Sequence, residues 1–451
     1  MRYNFSVPLP QRLAGISYVG HAARLRLLLR RIKLGEPVVI GVLGGSITAG
    51  QGVGGPINTY VAFLERWLNS ALPPFKPDSL PCPTGTQSSY VAACVEQHLP
   101  TVLPDLVLVE FAVNDLPKPS SDFKDPGRRA FERLLRKLLQ LPSRPAVVLV
   151  NMYAHNVVAP NGNGCCNFWN NAERDFLELG LYYGVPSISL KAAVVPSVLS
   201  NTSDALSAAT IFNAGRYHPG AGGHVVAFEL LVTLMQEVLS SDSAMIRNMA
   251  KQAYGNNTEA AAAALWATYE SEAAQVLPPP LSKGNYEPNR TSCLLIDAFK
   301  DAVLQPVEGW EWTDEGRNKW GYVALESGQQ LRIKVVYLRS YEGMGRARVT
   351  CEEGCSCGEL IINAHNNDRQ VSVAATADMT VSQAAECTLR VETLGPGLQT
   401  KSRFGVQGTP GSKFKLIGLL LGEDTGGGRG MVDDFIRDTS LDLAMATNKG
   451  T

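Results

Sequence analysis

The stretch Val38-Val39-Ile40-Gly41-Val42-Leu43-Gly44-Gly45-Ser46-Ile47-Thr48-Ala49-Gly50 decides how this chain is read. A run of β-branched and aliphatic residues stops at two glycines, and a serine follows at once. Apolar residues then recur at Ile57, Tyr60, Val61, Leu64, Trp67 and Leu68, which is helical spacing. The pattern is strand, tight glycine turn, helix. Such a turn presents a small side chain at the carboxyl end of a parallel strand, where open α/β sheets place their ligands. Glycine there lets the backbone approach a substrate closely. A serine in that place is a nucleophile when a base lies within reach.

The pattern continues outward to about Ser240. Strand-like runs fall at Val38–Leu43, Leu106–Phe111, Ala146–Val150 and Val185–Leu190, with a fifth, ill-defined strand expected near Phe75–Pro81. Between them lie helical runs at Ile57–Ala71, Ser88–His98, Gly127–Leu141, Phe168–Tyr183 and Ala221–Ser240. In the third of these, Phe131, Leu134, Leu135, Leu138 and Leu139 keep a 3.6-residue period, and Pro142 follows as a stop. Alternation with nearly continuous apolar strands predicts a parallel sheet covered on both faces.

With 451 residues the chain exceeds one ordinary core, so more than one domain is expected. Residues 1–35 read as a lead-in containing a basic amphipathic helix, Leu25–Leu34, whose arginines form a solvated face. Residues 36–240 form the α/β domain. Residues 241–290, with Ala260 to Ala264 and Pro278-Pro279-Pro280, read as a helical spacer and stiff linker. Residues 291–421 carry short strands separated by Gly and Asn turns, the signature of a β-sandwich or jelly roll. The glycine-rich, acidic stretch 422–451 is expected to be a disordered tail.

A net charge of -1 gives no electrostatic footprint for nucleic acid or an anionic membrane. No uninterrupted apolar run reaches the ~18 to 20 residues that cross a bilayer, so no transmembrane segment is expected. Residues 1–13 lack the apolar core of a secretory signal. Five of the nine cysteines lie at or beyond Cys293, three of them as Cys351-x-x-x-Cys355-x-Cys357. Such crowding favours disulfides in a secretory or extracellular compartment over a metal cluster, since no histidine stands at finger-like spacing. Sequons at Asn4, Asn201, Asn256 and Asn289 agree with that compartment but are near chance for this length.

Four short segments of the α/β domain suit one reaction. Ser46 is the first, and Thr84-Gly85-Thr86, just before a helical run, is the second. The third is Glu110-Phe111-Ala112-Val113-Asn114-Asp115, where a strand ends and an amide follows. The fourth is His218-Pro219-Gly220-Ala221-Gly222-Gly223-His224. A Ser–His pair supplies nucleophile and general base, while a backbone N–H and an amide supply donors for an oxyanion. These segments resemble, in order and context, the four blocks of the SGNH hydrolases, also called the GDSL esterase/lipase superfamily. The resemblance covers roughly residues 36–240. It implies a flavodoxin-like α/β/α sandwich with a five-stranded parallel sheet, and hydrolysis of esters without a metal or other cofactor. It also implies Ser46 as nucleophile, His218 as base, and an oxyanion hole formed by the Ser46 N–H, the Gly85 N–H and the Asn114 side chain.

Two positions depart from the family pattern. Gly45 stands where the family often has Asp, and Gly215 stands three residues before His218, where the triad acid usually lies. A Ser–His dyad oriented by a backbone carbonyl is one consequence, and an acid arriving from elsewhere is another. The β domain has a softer resemblance to galactose-binding-like jelly rolls, and Trp310, Trp312 and Trp320 are candidates for stacking on sugar rings. The leading expectation is therefore a serine esterase that removes acyl groups, chiefly acetyl, from a small-molecule or polysaccharide ester. A sugar O-acetyltransferase on the same fold and a weakly active glycan-binding pseudo-enzyme are the alternatives. Gly50-x-Gly52-x-x-Gly55 matches a dinucleotide fingerprint in letters only, since it begins too far beyond the strand. Asp115 reads as a cap for the following turn, and Glu110, in a buried-looking strand, as a structural residue needing a partner.

Overall fold

A computed structural model describes residues 3–71, 88–99, 103–115, 126–154, 171–200, 206–213, 218–287, 291–295, 299, 331–366, 373–382, 387–399 and 408–423. The chain divides into two units, Met1–Asn285 and Tyr286–Ile436. The first opens with α1 (Leu9–Ala14), β1 (Ile16–Tyr18) and α2 (Ala23–Lys33). Then come β2 (Ile40–Gly44), α3 (Tyr60–Ala71), α4 (Ser88–His98), β3 (Leu106–Glu110), α5 (Pro126–Leu139), β4 (Ala146–Asn151), α6 (Glu173–Tyr183), β5 (Ser187–Ser189), α7 (Leu190–Ser200), α8 (Ala208–Ile211), α9 (Ala221–Ala253) and α10 (Thr258–Ala273).

The sheet runs β1-β5-β4-β3-β2. Strands β2 to β5 are parallel, with Ile40 opposite Leu106, Leu106 opposite Ala146 and Leu149 opposite Ser187. Every residue of these four strands is buried, as expected of strands covered on both faces. Side chains alternate across the sheet. Leu106 and Leu108 pack in one core with Leu29 of α2, Leu64 and Trp67 of α3 and Leu231 of α9. Val107 and Val109 pack in the other with Val91 of α4, Phe131 and Leu134 of α5 and Phe176 of α6. The result is an α/β/α sandwich whose strand carboxyl ends gather at one edge.

Three expectations are corrected. The fifth strand described is Ile16–Tyr18, which pairs antiparallel with β5, so this sheet is mostly rather than wholly parallel. A three-residue strand carries too little pattern to be seen in a sequence; the expected strand near Phe75–Pro81 lies outside the described residues. The lead-in is part of the fold. Buried Glu229 of α9 accepts Ser6 N–H at 2.8 Å, Ser6 Oγ–H at 2.7 Å and Val7 N–H at 2.8 Å. Arg26 of α2 is buried against Asp242 instead of lying on a solvated face, and Tyr269 of α10 donates to the same Asp242 at 3.0 Å.

Residues 241–285 are likewise folded onto the first unit. Helix α9 continues past Ser240 because no Gly or Pro interrupts it before Tyr254, and Asp242 faces Arg26. Asn257 then caps α10 by accepting from Glu259 N–H and Ala260 N–H at 3.1 and 3.0 Å. The proline stretch is clamped to α5. Arg136 donates to Pro278 O at 2.6 Å, Arg133 to Asn285 Oδ1 at 2.5 Å, and Glu132 accepts from Leu281 N–H, Ser282 N–H and the Asn285 amide. By length and composition α9 would cross a membrane, but 72% of its apolar window is buried inside this unit.

The second unit is antiparallel β: β6 (Thr291–Leu295), β7 (Leu331–Arg339), β8 (Gly345–Glu353), β9 (Leu360–Asn363), β10 (Val373–Val381), β11 (Thr388–Pro396) and β12 (Leu416–Glu423). A four-stranded sheet, β10-β7-β12-β6, and a three-stranded sheet, β11-β8-β9, share one core. Ile333, Val335 and Leu419 from the first meet Ala347, Val349, Ile362 and Leu389 from the second. Disulfides Cys351–Cys357 and Cys355–Cys387 pin the three-stranded sheet at one end. The three tryptophans singled out from the sequence lie outside the described residues.

Candidate active site

Ser46 sits two residues beyond the end of β2. The chain turns helically there, with Ala49 N–H donating to Gly45 O and Gln51 N–H to Ser46 O. A loop of glycines follows, and Gly50, Gly52, Gly54 and Gly55 all have positive φ. At Gly52 a Cβ would lie 3.0 Å from the Cβ of His218, so the loop backbone passes directly against the histidine.

His218 arrives from the start of α9. The bridge between Phe212 and Pro219 and the Asn213 N–H bond to His218 O at 3.1 Å fix its backbone. Its Nε2 lies 2.9 Å from Ser46 Oγ, 172 residues away in sequence. Burial lowers the pKa of His218 below its ordinary 6.5, favouring the neutral ring that can accept a proton. Among the described residues no carboxylate pairs with this ring. Gly215 lies outside the described residues.

Asn114 follows β3 at the same edge. A Cβ on Gly45 would overlap its amide, with Asn114 Cγ at 2.6 Å and Nδ2 at 2.7 Å. The amide therefore lies against the residue that precedes Ser46, in the space an Asp side chain would need. Glycine stands at 45 for this contact, since its φ is not in the left-handed region. Ser46, His218 and Asn114 are thus brought together at the strand ends, while Gly85 lies outside the described residues.

Asp115 is corrected from a cap on the following turn to a cap on α4. It accepts Ser88 N–H at 2.9 Å and also bonds the Ser88 hydroxyl. His224 is a packing residue, fully buried, with Nδ1 accepting the Tyr60 N–H at 3.2 Å. Sequence reasoning left Thr48 and Tyr60 without a role. Thr48 Oγ1 donates to Glu110 Oε2 at 3.0 Å and meets the Tyr60 hydroxyl at 3.0 Å. The signal available was Glu110 itself, an acid in an otherwise apolar strand.

Residues 42–226 match the model of the GDSL-like Lipase/Acylhydrolase family. The chain carries a GDSL-like lipase/acylhydrolase domain. The matched domain supports a carboxylic ester hydrolase. Among solved structures, the chain is similar to a two-domain esterase (CEX) active on acetylated mannans and co-crystallized with mannopentaose. Identity is 20%, coverage 94% of this chain and 99% of that one, and the TM-score 0.57. A second structure of such a two-domain esterase active on acetylated mannans gives 19%, 92%, 99% and 0.58. That likeness spans both units and is one of fold. No curated protein matches the chain.

Proposed function

We propose that the chain is a serine esterase that removes O-acyl groups, chiefly acetyl, from a carbohydrate. The observation that carries the reading is the 2.9 Å contact between Ser46 Oγ and His218 Nε2 at the strand ends of a GDSL-like domain. Ser46 Oγ attacks the ester carbonyl while His218 Nε2 takes its proton. The oxyanion is held by the Ser46 N–H, the Asn114 amide and the Gly85 N–H. His218 returns the proton to the leaving alcohol, and water, activated by the same ring, releases the acyl group from Ser46. The neutral ring favoured by burial suits the base role.

Support for a carbohydrate substrate comes from the two-domain esterases active on acetylated mannans, whose length this chain matches almost fully. The disulfides Cys351–Cys357 and Cys355–Cys387 support a secretory or extracellular location. Labelling with a fluorophosphonate probe tests the nucleophile: wild type is expected to label, and Ser46→Ala and His218→Ala are expected not to. Acetate release from acetylated mannan then tests the substrate. Equal labelling of folded Ser46→Ala would overturn the mechanism, and acetate released only from non-carbohydrate esters would overturn the substrate.

A further inference from the structure

We propose that Glu110 is a positioning residue for the nucleophile: its buried carboxyl group pins the turn that carries Ser46 through the hydroxyl of Thr48. The inference rests on Ser46 being the nucleophile. Glu110 ends β3 directly opposite Gly44, the last residue of β2. A side chain at 44 would collide with Thr48 and come within 3.2 Å of Glu110 Cβ. The bare glycine therefore opens the volume in which the Thr48 hydroxyl reaches Glu110 Oε2 at 3.0 Å. The other carboxyl oxygen, Oε1, is buried, so the hold on the turn runs through Oε2 and Thr48. Thr48 stands two residues after Ser46, so this bond holds the turn directly beyond the nucleophile.

When the Glu110 proton sits on Oε1, Thr48 gives its one hydroxyl proton to Glu110 Oε2 and the Tyr60 hydroxyl donates to Thr48 Oγ1. The chain of donors runs from α3 to β3 beneath the nucleophile turn. The groups facing Glu110 are Thr48 on the turn, Tyr60 on α3 behind it, and Asp115 beyond its own strand. His224 of α9, neutral and buried, stands behind Tyr60. Among the described residues no cation reaches the carboxyl. Complete burial, with the negative Asp115 adding to it, pushes the Glu110 pKa up to about 8. At pH 7 Glu110 is thus chiefly the neutral acid. Above pH 8 it acquires a negative charge beneath the place where the oxyanion forms, and turnover falls.

The test compares wild type, Glu110→Gln and Glu110→Ala by kcat and KM on 4-nitrophenyl acetate from pH 6 to pH 10, with thermal melts. Infrared spectra of wild type and Glu110→Gln at pH 7 are read for a protonated-carboxyl stretch. Gln mimics the neutral acid in shape and cannot ionise. It is expected to keep kcat within about threefold of wild type at pH 7 and to lose the fall above pH 8. Ala is expected to lower kcat about 10- to 100-fold with KM little changed, the scale of a misplaced reacting group. The protonated stretch is expected in wild type and missing from Glu110→Gln. Identical alkaline profiles for wild type and Glu110→Gln would overturn the proposal, as would a folded Glu110→Ala with wild-type kcat. If Glu110→Ala does not fold, the Gln profile and the infrared difference decide. Failure of the fluorophosphonate to label folded wild type would instead sink the Ser46 reading, leaving the infrared result to report on Glu110 alone.

Discussion

Gly45→Ala should leave the protein folded and nearly inactive. The added methyl overlaps the Asn114 amide, with Cγ at 2.6 Å and Nδ2 at 2.7 Å from the new carbon. The neighbour is the far end of a side chain, so it can swing away. An off-rotamer Asn costs about 0.5–1.5 kcal/mol, and Gly→Ala at a compatible φ returns about 0.4–1 kcal/mol through the unfolded state. Net stability should therefore change by less than about 1 kcal/mol. On the proposed mechanism catalysis then loses the amide as an oxyanion donor, a change of about 2.7–4 kcal/mol, or roughly 10²- to 10³-fold in kcat. The assay is kcat and KM on 4-nitrophenyl acetate for Gly45→Ala, Asn114→Ala and the double variant, with urea melts of each. Because both changes remove one donor, the double variant should be no slower than Asn114→Ala. Wild-type kcat in folded Gly45→Ala, or losses that multiply in the double variant, would refute the argument.

Three further outcomes are expected. Burial lowers the His218 pKa, so the base stays neutral as pH falls through 6.5, and the acid limb of kcat/KM for 4-nitrophenyl acetate should lie below 6.5. Asp242→Ala strands the buried Arg26 guanidinium and should destabilise the first unit by about 3–5 kcal/mol in urea melts, whereas an exposed pair would cost under about 1. Replacing Cys355 and Cys387 together by Ser opens a loop of sequence separation 32 and should cost about 3–4 kcal/mol in the unfolding of the second unit, with Ser46 labelling retained.

The parallel core was legible because its strands are continuous apolar runs between helical periods. Leu106–Glu110 and the helix Ser88–His98 stand almost where the sequence pattern puts them. What was not legible depends on partners distant in sequence. Arg26 reads as one more surface arginine until Asp242, 216 residues away, is folded against it. Asp242 itself looks like the polar end of a helix, yet it lies inside α9. Ser46, His218 and Asn114, which the fold brings together, could be singled out because each closes a strand or opens a helix with a chemically distinctive residue. Glu110 could be seen but not understood, since its role depends on the missing side chain of Gly44 across the strand pair.

The seat that Glu229 makes for residues 6 and 7 has a practical consequence for anyone shortening this protein. Cutting at the limits of family similarity, 42 and 226, removes Glu229 together with most of α9. Cutting at 36 and 240 keeps Glu229 but strips away its donors, leaving a bare carboxylate in a helix whose apolar stripe has also lost Leu25, Leu28 and Ile32. Either fragment would meet the ribosome exit as a sticky, half-covered sheet. The contacts that hold the first unit together run on to Asn285, where the strap across α5 is tied off. Similarity marks the part of the machine that is reused; the part that is packed together is larger.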